Sequence, residues 1–259
     1  MKNLFFVAIY FLIASIFLGC NQNSPKQEPI DVLVIGGGAS GTMAAIQAAR
    51  MDASVLVLEE TPWLGGMLTS AGVSAVDGNY NLHSGLWEEY RQALNTHYGG
   101  EEKLKTGWVS NVLYEPQIGA NILLEMTKKE KNLQVAFNSK IANITKIDEG
   151  WEVVYTINNQ QIKIKAKIVI DATELGDIAA EVGIPYAIGM DSKFDTGEEI
   201  APEKANNIIQ DLTYVAVLKT YKDASKAKLE KPENYDPTPF LCTCKGSCKE
   251  DEKNKLCLA

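Results

Sequence analysis

The chain has no long run of lysine and arginine, and its formal net charge is −8. A polyanion would meet no cationic surface here, which argues against nucleic acid as a partner. Histidine is scarce, with only His83 and His97 in 259 residues, and no Ser/His/Asp or Cys/His arrangement can be built from their spacing. No internal repeat is visible. The one long apolar run, Leu4 to Leu18, is too short for a comfortable membrane span. Cysteine is absent between Cys20 and Cys242, so no disulfide framework runs through the body of the chain. What remains is ordinary globular composition, 46% hydrophobic and 22% charged, and long enough for one large or two modest domains with a core.

The first residues stand apart from the fold. In "MKNLFFVAIYFLIASIFLGC", Lys2 precedes the apolar run and Gly19 precedes Cys20. This is the polarity order of a signal peptide, and a small residue before cysteine is the mark of a bacterial lipoprotein lipidated at Cys20. Phe17 stands where such sequences usually carry leucine. An uncleaved N-terminal anchor and ordinary secretory cleavage are the alternatives. All three place the mature protein outside the cytoplasm, in the cell envelope of a bacterium, held to the membrane where the lipid is present. Residues 1–20 are therefore assigned as signal peptide and the polar stretch 21–29 as a linker.

From Asp31 the pattern is an apolar strand, then "GGGASG", then an alanine-rich helix to about Met51. A second strand follows, "SVLVLE", Ser54 to Glu59. Helical spacing returns in "LWEEYRQALNTHY" and after Glu115-Pro116. "LQVAFNSKIANITKIDE" reads as one or two strands. "WEVVYTI" and "IKIKAKIVIDAT" flank the turn "NNQQ" as a hairpin, and the second becomes fully apolar at "IVI", as a strand entering a covered parallel sheet does. "ELGDIAAEVGI" starts a further helix. "PEKANNIIQDLTYVAVLKTY" is expected to hold a helix and a strand, and "KDASKAKLEKPENYDPTP" a charged surface segment.

The glycines carry the chemistry. Gly36, Gly38 and Gly41 form G-x-G-x-x-G directly after a strand and at the start of a helix. The first permits a tight turn, the second lets backbone approach a pyrophosphate, and the third lets helix and strand pack closely. The first helical amides, from Gly38 through Ala39 and Ser40 to Gly41, then face the diphosphate at the positive end of the helix. About 20 residues on, Glu59 with Glu60 beside it closes the second strand and supplies a carboxylate for ribose hydroxyls. A solvated carboxylate at a strand end is the plain alternative for this pair. The unit reads as a dinucleotide site.

At this point the sequence resembles the FAD-dependent oxidoreductases of the two-dinucleotide-binding-domain class, a group that includes heterodisulfide reductase flavin-subunit-like proteins. The matching stretches are "DVLVIGGGASGTMAAIQAAR", "VLVLEE", "WLGGMLTSAG", "SGLWEEY", "YEPQIGANILLEM" and "IVIDATELGDIAA". The resemblance implies an α/β fold: a Rossmann-like FAD-binding domain over 30–190, with a parallel sheet, helices and an inserted β-meander, followed by the start of a second, substrate domain over 191–259. It implies that Gly65, Gly66, Met67 and Thr69 lie in a loop passing the pyrophosphate and flavin, and that Ile141 lies near adenine through its backbone. Ala172, Thr173, Glu174 and Gly176 would form a second cofactor-contacting turn. There the family pattern has glycine after Ala-Thr, whereas this chain has Glu174. Asp177 either caps the following helix or touches the cofactor.

The implied chemistry is hydride transfer through FAD to or from a small molecule, with an electron-transfer partner that the sequence does not name. Catalytic residues are not legible. His83 lies on the expected flavin side as a proton donor, a covalent attachment point or, more simply, a surface histidine; His97 is expected to be solvated. Cys242, Cys244, Cys248 and Cys257 crowd the end as C-x-C-x3-C-x8-C. That spacing matches neither common ferredoxin pattern, and in an exported protein disulfides are favoured over a metal or an iron–sulfur cluster and over free thiols. The return motif that closes over the ribityl chain in the family is absent, so the chain is expected to be an N-terminal part, with weak flavin retention. A non-catalytic remnant and a nicotinamide-dependent dehydrogenase are the competing functions.

Overall fold

A computed structural model of the chain describes residues 29–107, 110–210, 213–218, 221–227 and 230–236. Cys20 and the four C-terminal cysteines lie outside these residues, as does the apolar N-terminal run. The chain divides into two units, 1–216 and 217–259.

The first unit is built on a six-stranded, mostly parallel sheet. Strand β1 (Ile30–Ile35) leads through the glycine turn into helix α1 (Ala39–Arg50), and β2 (Val55–Leu58) returns parallel to β1. A small antiparallel pair, β3 (Ala75–Val76) and β4 (Val112–Leu113), flanks helix α2 (Gly85–Tyr98) in the chain. Helix α3 (Pro116–Lys128) precedes β5 (Leu133–Ala136), which adds parallel to β2. The meander strands β6 (Lys140–Ile147), β7 (Gly150–Ile157) and β8 (Gln160–Asp171) follow, giving the order β5-β2-β1-β8-β7-β6.

Strand β8 belongs to two architectures at once. Its first half pairs antiparallel with β7, and its second half pairs parallel with β1; Ala166 meets Trp151 on one side and Ile30 on the other. The β7–β8 turn is Asn158-Asn159, both with positive φ, the two-residue type that suits a twisted hairpin. The hairpin and its passage into parallel pairing thus form as the sequence suggests, whereas the full covering expected over "IVI" does not form among the described residues: Ile168 is exposed.

Strand β1 is apolar at every position from Val32 to Ile35 because both faces are covered. Val32 and Val34 join one core with Ile46, Val57, Tyr90, Leu94 and Leu123, on the helical side. Leu33 and Ile35 join the other with Ile144, Val153, Tyr155 and Ile164 of the meander, and Ile178. Helix α1 presents Gly41, Thr42, Ala45 and Ala49 inward, small residues that let it lie close to the sheet. Pro116 sits in the first turn of α3, where its missing N–H costs no hydrogen bond. Arg50, at the end of α1, ties α2 and the turn after α3: its guanidinium donates to both oxygens of Glu89 at 2.7 and 2.8 Å and to Glu130 at 2.9 Å.

At the far end of β1, Asp31 and Ser54 exchange hydrogen bonds. The Asp31 amide donates to Ser54 Oγ at 2.9 Å, while the Ser54 amide and hydroxyl donate to Asp31 Oδ2 at 2.8 and 2.7 Å. Lys167 Nζ closes the group on Asp31 Oδ1 at 2.6 Å. The lysine and the serine donors hold the Asp31 carboxyl well below the usual carboxylate range.

Two short helices follow, α4 (Asp177–Glu181) and α5 (Lys193–Thr196). The helix and strand expected between 202 and 221 do not form among the described residues; an isolated bridge, Met190 to Asn206, is the ordered feature there. Ile208, Ile209 and Tyr214 are exposed. An apolar pattern without a surface to pack on does not sustain a short helix or strand. In the second unit, described residues include one short helical turn, Ala224–Ala227, preceded by Asp223 accepting from the Ser225 amide and hydroxyl. Among the described residues, no helix is long and apolar enough to cross a membrane.

Candidate nucleotide site at the glycine turn

Three backbone segments converge at the C-terminal ends of β1, β2 and β8. They are the turn 36–41, the loop 64–69 and the turn 172–176. The Gly36 amide donates to Leu58 O at 2.9 Å, and the Ala172 amide to Ile35 O at 2.8 Å. The Gly65 amide donates to Gly37 O at 2.8 Å, and Gly38 bridges Gly65. Thr42 Oγ1 also donates to Gly37 O, at 2.8 Å.

The three motif glycines are glycine for different reasons. Gly36 has φ +99°, and a Cβ there would overlap the Ala172 carbonyl. A Cβ on Gly41 would overlap the Gly36 carbonyl and press on Ala172 Cβ at 2.9 Å. Both are required by the fold itself. Gly38 is different: it has an ordinary φ of −58° as the N-cap of α1, and its Cβ would meet only Glu174 Oε1, at 3.2 Å. Packing does not demand glycine at 38, yet the space beside it is kept clear of all but one side-chain end. Gly66, with φ +51°, faces the same space, its Cβ position 2.8 Å from Glu174 Oε1 and 3.0 Å from Gly38 Cα. As N-cap, Gly38 offers no side-chain acceptor to the first turn of α1. The amides of that turn open on a cradle of bare backbone, which fits a diphosphate.

Glu59 is no solvated strand-end carboxylate. It is 8% exposed, and its two oxygens accept from the Gly37 amide at 2.6 Å and the Thr61 amide at 2.7 Å. It locks the glycine turn to the loop after β2, and a carboxylate retains lone pairs for further donors. Glu60 beside it is exposed. The Ser139 amide donates to Glu59 O at 3.0 Å, bringing the start of β6 next to the end of β2. Ile141 follows at a β-bulge and is partly buried against the meander core. Met67 is exposed on the short helical turn Gly66–Leu68, whereas Thr69 is buried, its hydroxyl donating to Leu64 O at 2.5 Å.

The second turn is held by a residue the sequence did not single out for a role. Asp171 Oδ1 accepts from the Thr173 amide at 3.0 Å and hydroxyl at 2.7 Å, and its Oδ2 accepts from the Ala179 amide at 2.7 Å. Thr173 Oγ1 in turn accepts from the Asp177 amide at 2.8 Å. Asp171 and Thr173 therefore satisfy the start of α4, with Gly176 as N-cap at φ +73°; Asp177 sits one residue inside the helix and does not cap it. An Asx-turn signature, Asp followed by Thr two residues on, marks this device in the sequence. Gly37, Leu64 and Thr42, which complete the loop contacts, carry no comparable signal.

The two histidines lie apart from each other in role. His97 is exposed at the end of α2. His83 is exposed too, but its Nδ1 lies 2.8 Å from the Arg91 guanidinium and 3.5 Å from Glu88 Oε2. Arg91, with a side chain only 4% exposed, also donates to both oxygens of Glu88 at 2.7 and 2.9 Å. That pairing lowers the Glu88 carboxyl to about 2. Among the described residues, no group of three His, Cys, Asp or Glu side chains could hold a metal ion.

The profile of the FAD-dependent oxidoreductases matches residues 31–254. An NADH:fumarate oxidoreductase of Klebsiella pneumoniae is 36% identical over 91 residues, 33% of this chain and 9% of that protein. A digeranylgeranylglycerophospholipid reductase of Methanococcus vannielii is 24% identical over 177 residues, 66% of this chain and 44% of that protein. A solved geranylgeranyl bacteriochlorophyll reductase-like protein of Thermoplasma acidophilum aligns over 63% of this chain and 45% of its own, with 22% identity and a TM-score of 0.47. The chain thus spans less than half the length of these relatives. With the profile covering most of its length, the chain belongs to the FAD-dependent oxidoreductase family.

Proposed function

We propose that this chain is the FAD-binding part of an oxidoreductase that transfers hydride to or from a small polar molecule. The observation that carries the reading is the space beside Gly38, free of all but the end of the Glu174 side chain, at the uncapped start of α1 where packing does not require glycine. The amides of Gly38, Ala39 and Ser40 would hold the diphosphate. Glu59 would accept from the ribose hydroxyls with the lone pairs that Gly37 and Thr61 leave free. Gly65, Gly66 and Met67 form one wall, and Ala172, Thr173 and Glu174, ending at Gly176, form the other; Ile141 offers main chain toward adenine. When bound, FAD supplies a hydride acceptor and donor at N5 of its ring system.

The test is a titration of the purified protein with FAD, read by tryptophan and flavin fluorescence, followed by dithionite reduction of the complex. Saturable binding and reversible bleaching are expected. Gly38→Val puts a side chain into the cradle, its Cβ meeting only the end of the Glu174 side chain, so it is expected to retain its circular dichroism spectrum and lose FAD. Undiminished binding by Gly38→Val overturns the reading. A folded protein that binds no flavin supports a non-catalytic remnant, and binding of nicotinamide dinucleotide without flavin supports a dehydrogenase.

The reading includes an exported, lipid-anchored protein, supported by Lys2, the apolar run and Gly19-Cys20. Incorporation of labelled fatty acid, lost in Cys20→Ala, is the expected result; equal labelling of the variant refutes it. Cys242, Cys244, Cys248 and Cys257 are read as disulfide-forming in that compartment. Mass shifts on alkylation, appearing only after reduction, are expected; full alkylation without reductant refutes this.

A further inference from the structure

We infer that Glu174 is an internal counter-ligand of the glycine cradle: its carboxylate stands in the diphosphate's place and must swing out when a diphosphate enters. The inference rests on the FAD reading above and concerns how that site is controlled. One carboxylate oxygen, Oε1, lies 3.2 Å from the Cβ position of Gly38 and 2.8 Å from that of Gly66, and the latter position is 3.9 Å from the Ala39 amide nitrogen. A single anionic oxygen thus occupies the space that two absent side chains leave open. Carboxylate and phosphate oxygens are the same kind of ligand for the positive end of a helix.

Among the described residues nothing fixes the side chain there, and it accepts no hydrogen bond from the first-turn amides of α1. Glu174 is exposed, and among the described residues no side-chain hydrogen bond or ion pair holds it. Its backbone, by contrast, is anchored on both sides. The Ala172 amide is held by Ile35 O, and Thr173 is held by Asp171 through amide and hydroxyl. Rotation about the side-chain bonds of Glu174 therefore opens the cradle without disturbing the turn. A carboxylate that stays put would face the incoming diphosphate as a like charge at close range. Departure removes the clash but leaves the negative charge at the rim, where it still opposes binding at low salt. The resemblance drawn from the sequence puts glycine at this position, so the counter-ligand is a property of this chain.

The experiment compares wild type with Glu174→Gln and Glu174→Gly in titrations with FAD, inorganic pyrophosphate and riboflavin, at low and high salt. Glu174→Gln is expected to bind FAD and pyrophosphate about tenfold more tightly than wild type at low salt, an electrostatic relief equivalent to about 1.4 kcal/mol. Riboflavin, which lacks the diphosphate, is expected to show no change, and the FAD difference is expected to shrink as salt rises. Glu174→Gly is expected to match or exceed Glu174→Gln, which excludes a favourable contact made by the glutamine. Wild type that binds FAD as tightly as, or more tightly than, Glu174→Gln overturns this inference and leaves the FAD reading standing. No FAD binding by any of the three proteins overturns both.

Discussion

Removing the Glu59 carboxylate is the sharpest test of how the glycine turn is held. Its two oxygens accept from two backbone amides, Gly37 at 2.6 Å and Thr61 at 2.7 Å, at a position 8% exposed. Glutamine at 59 keeps the volume but has one acceptor oxygen. Whichever way the amide turns, its NH2 faces one of the two N–H donors. One charge-assisted bond, worth about 1.5–3 kcal/mol, is lost, and one buried donor is left unpaired at about 1–3 kcal/mol. These overlap in part, so a loss of about 2–4 kcal/mol is expected. With a urea slope of about 2–3 kcal/mol per M, the unfolding midpoint falls by about 1 M. Tryptophan fluorescence across a urea series measures it, since Trp63 follows the loop that Glu59 anchors and Trp87 packs against the helical core. Glu59→Ala leaves both donors unpaired and is expected to fall further. An unchanged midpoint in Glu59→Gln would refute the claim that the carboxylate clamps the turn.

Gly41→Val drives a side chain into the Gly36 carbonyl and Ala172; overpacking of this kind costs about 1–3 kcal/mol, and a lowered thermal midpoint with loss of FAD binding is expected, in contrast to the folded Gly38→Val. Leu33→Ala, at a fully buried position of the meander-side core, is expected to cost about 2–5 kcal/mol in urea unfolding. Glu88 titrates near 2 in the folded protein, below its ordinary 4.5, because Arg91 and Gln92 donate to it. Its contribution is therefore complete above about 4.5 and is lost as the pH falls toward 2. Glu88→Gln is expected to flatten the stability profile between those limits, measured by urea midpoints from pH 6 to 2.5; an unchanged profile refutes the pairing.

The parts legible in the sequence are those fixed by local chemistry. The β1–α1–β2 unit announces itself through an apolar run, glycines and an alanine-rich helix, and the Asn158-Asn159 turn sets the meander hairpin. The passage of β8 into parallel pairing is legible in the apolar "IVI", although among the described residues that stretch is not fully covered, with Ile168 56% exposed. What escaped notice depends on contacts distant in sequence. Glu59 is legible as the acid about 20 residues after the glycines, but its bond to the Gly37 amide, across 22 positions, is not. Arg91 is buried because Glu88, His83 and Glu101 surround it, a cluster that helical spacing alone reveals only for Glu88. The apolar pattern after Pro202 misled because periodicity states what a segment could bury, whereas formation depends on a partner surface.

The double covering of β1 has a cost in specificity. Its four buried residues, Val32 to Ile35, are all aliphatic and alternate between two apolar cores. Sliding the strand by one position would still put aliphatic residues at three of the four buried places and exchange them between the cores, so greasiness alone separates right alignment from wrong only weakly. Discrimination falls to the strand's two ends. Asp31 and Ser54 fit each other in one alignment, and a displaced chain would put Ile35 or Gly37 where only Gly36, at φ +99° against Ala172, can sit. The same glycine that opens the turn thereby acts as the strand's vernier mark.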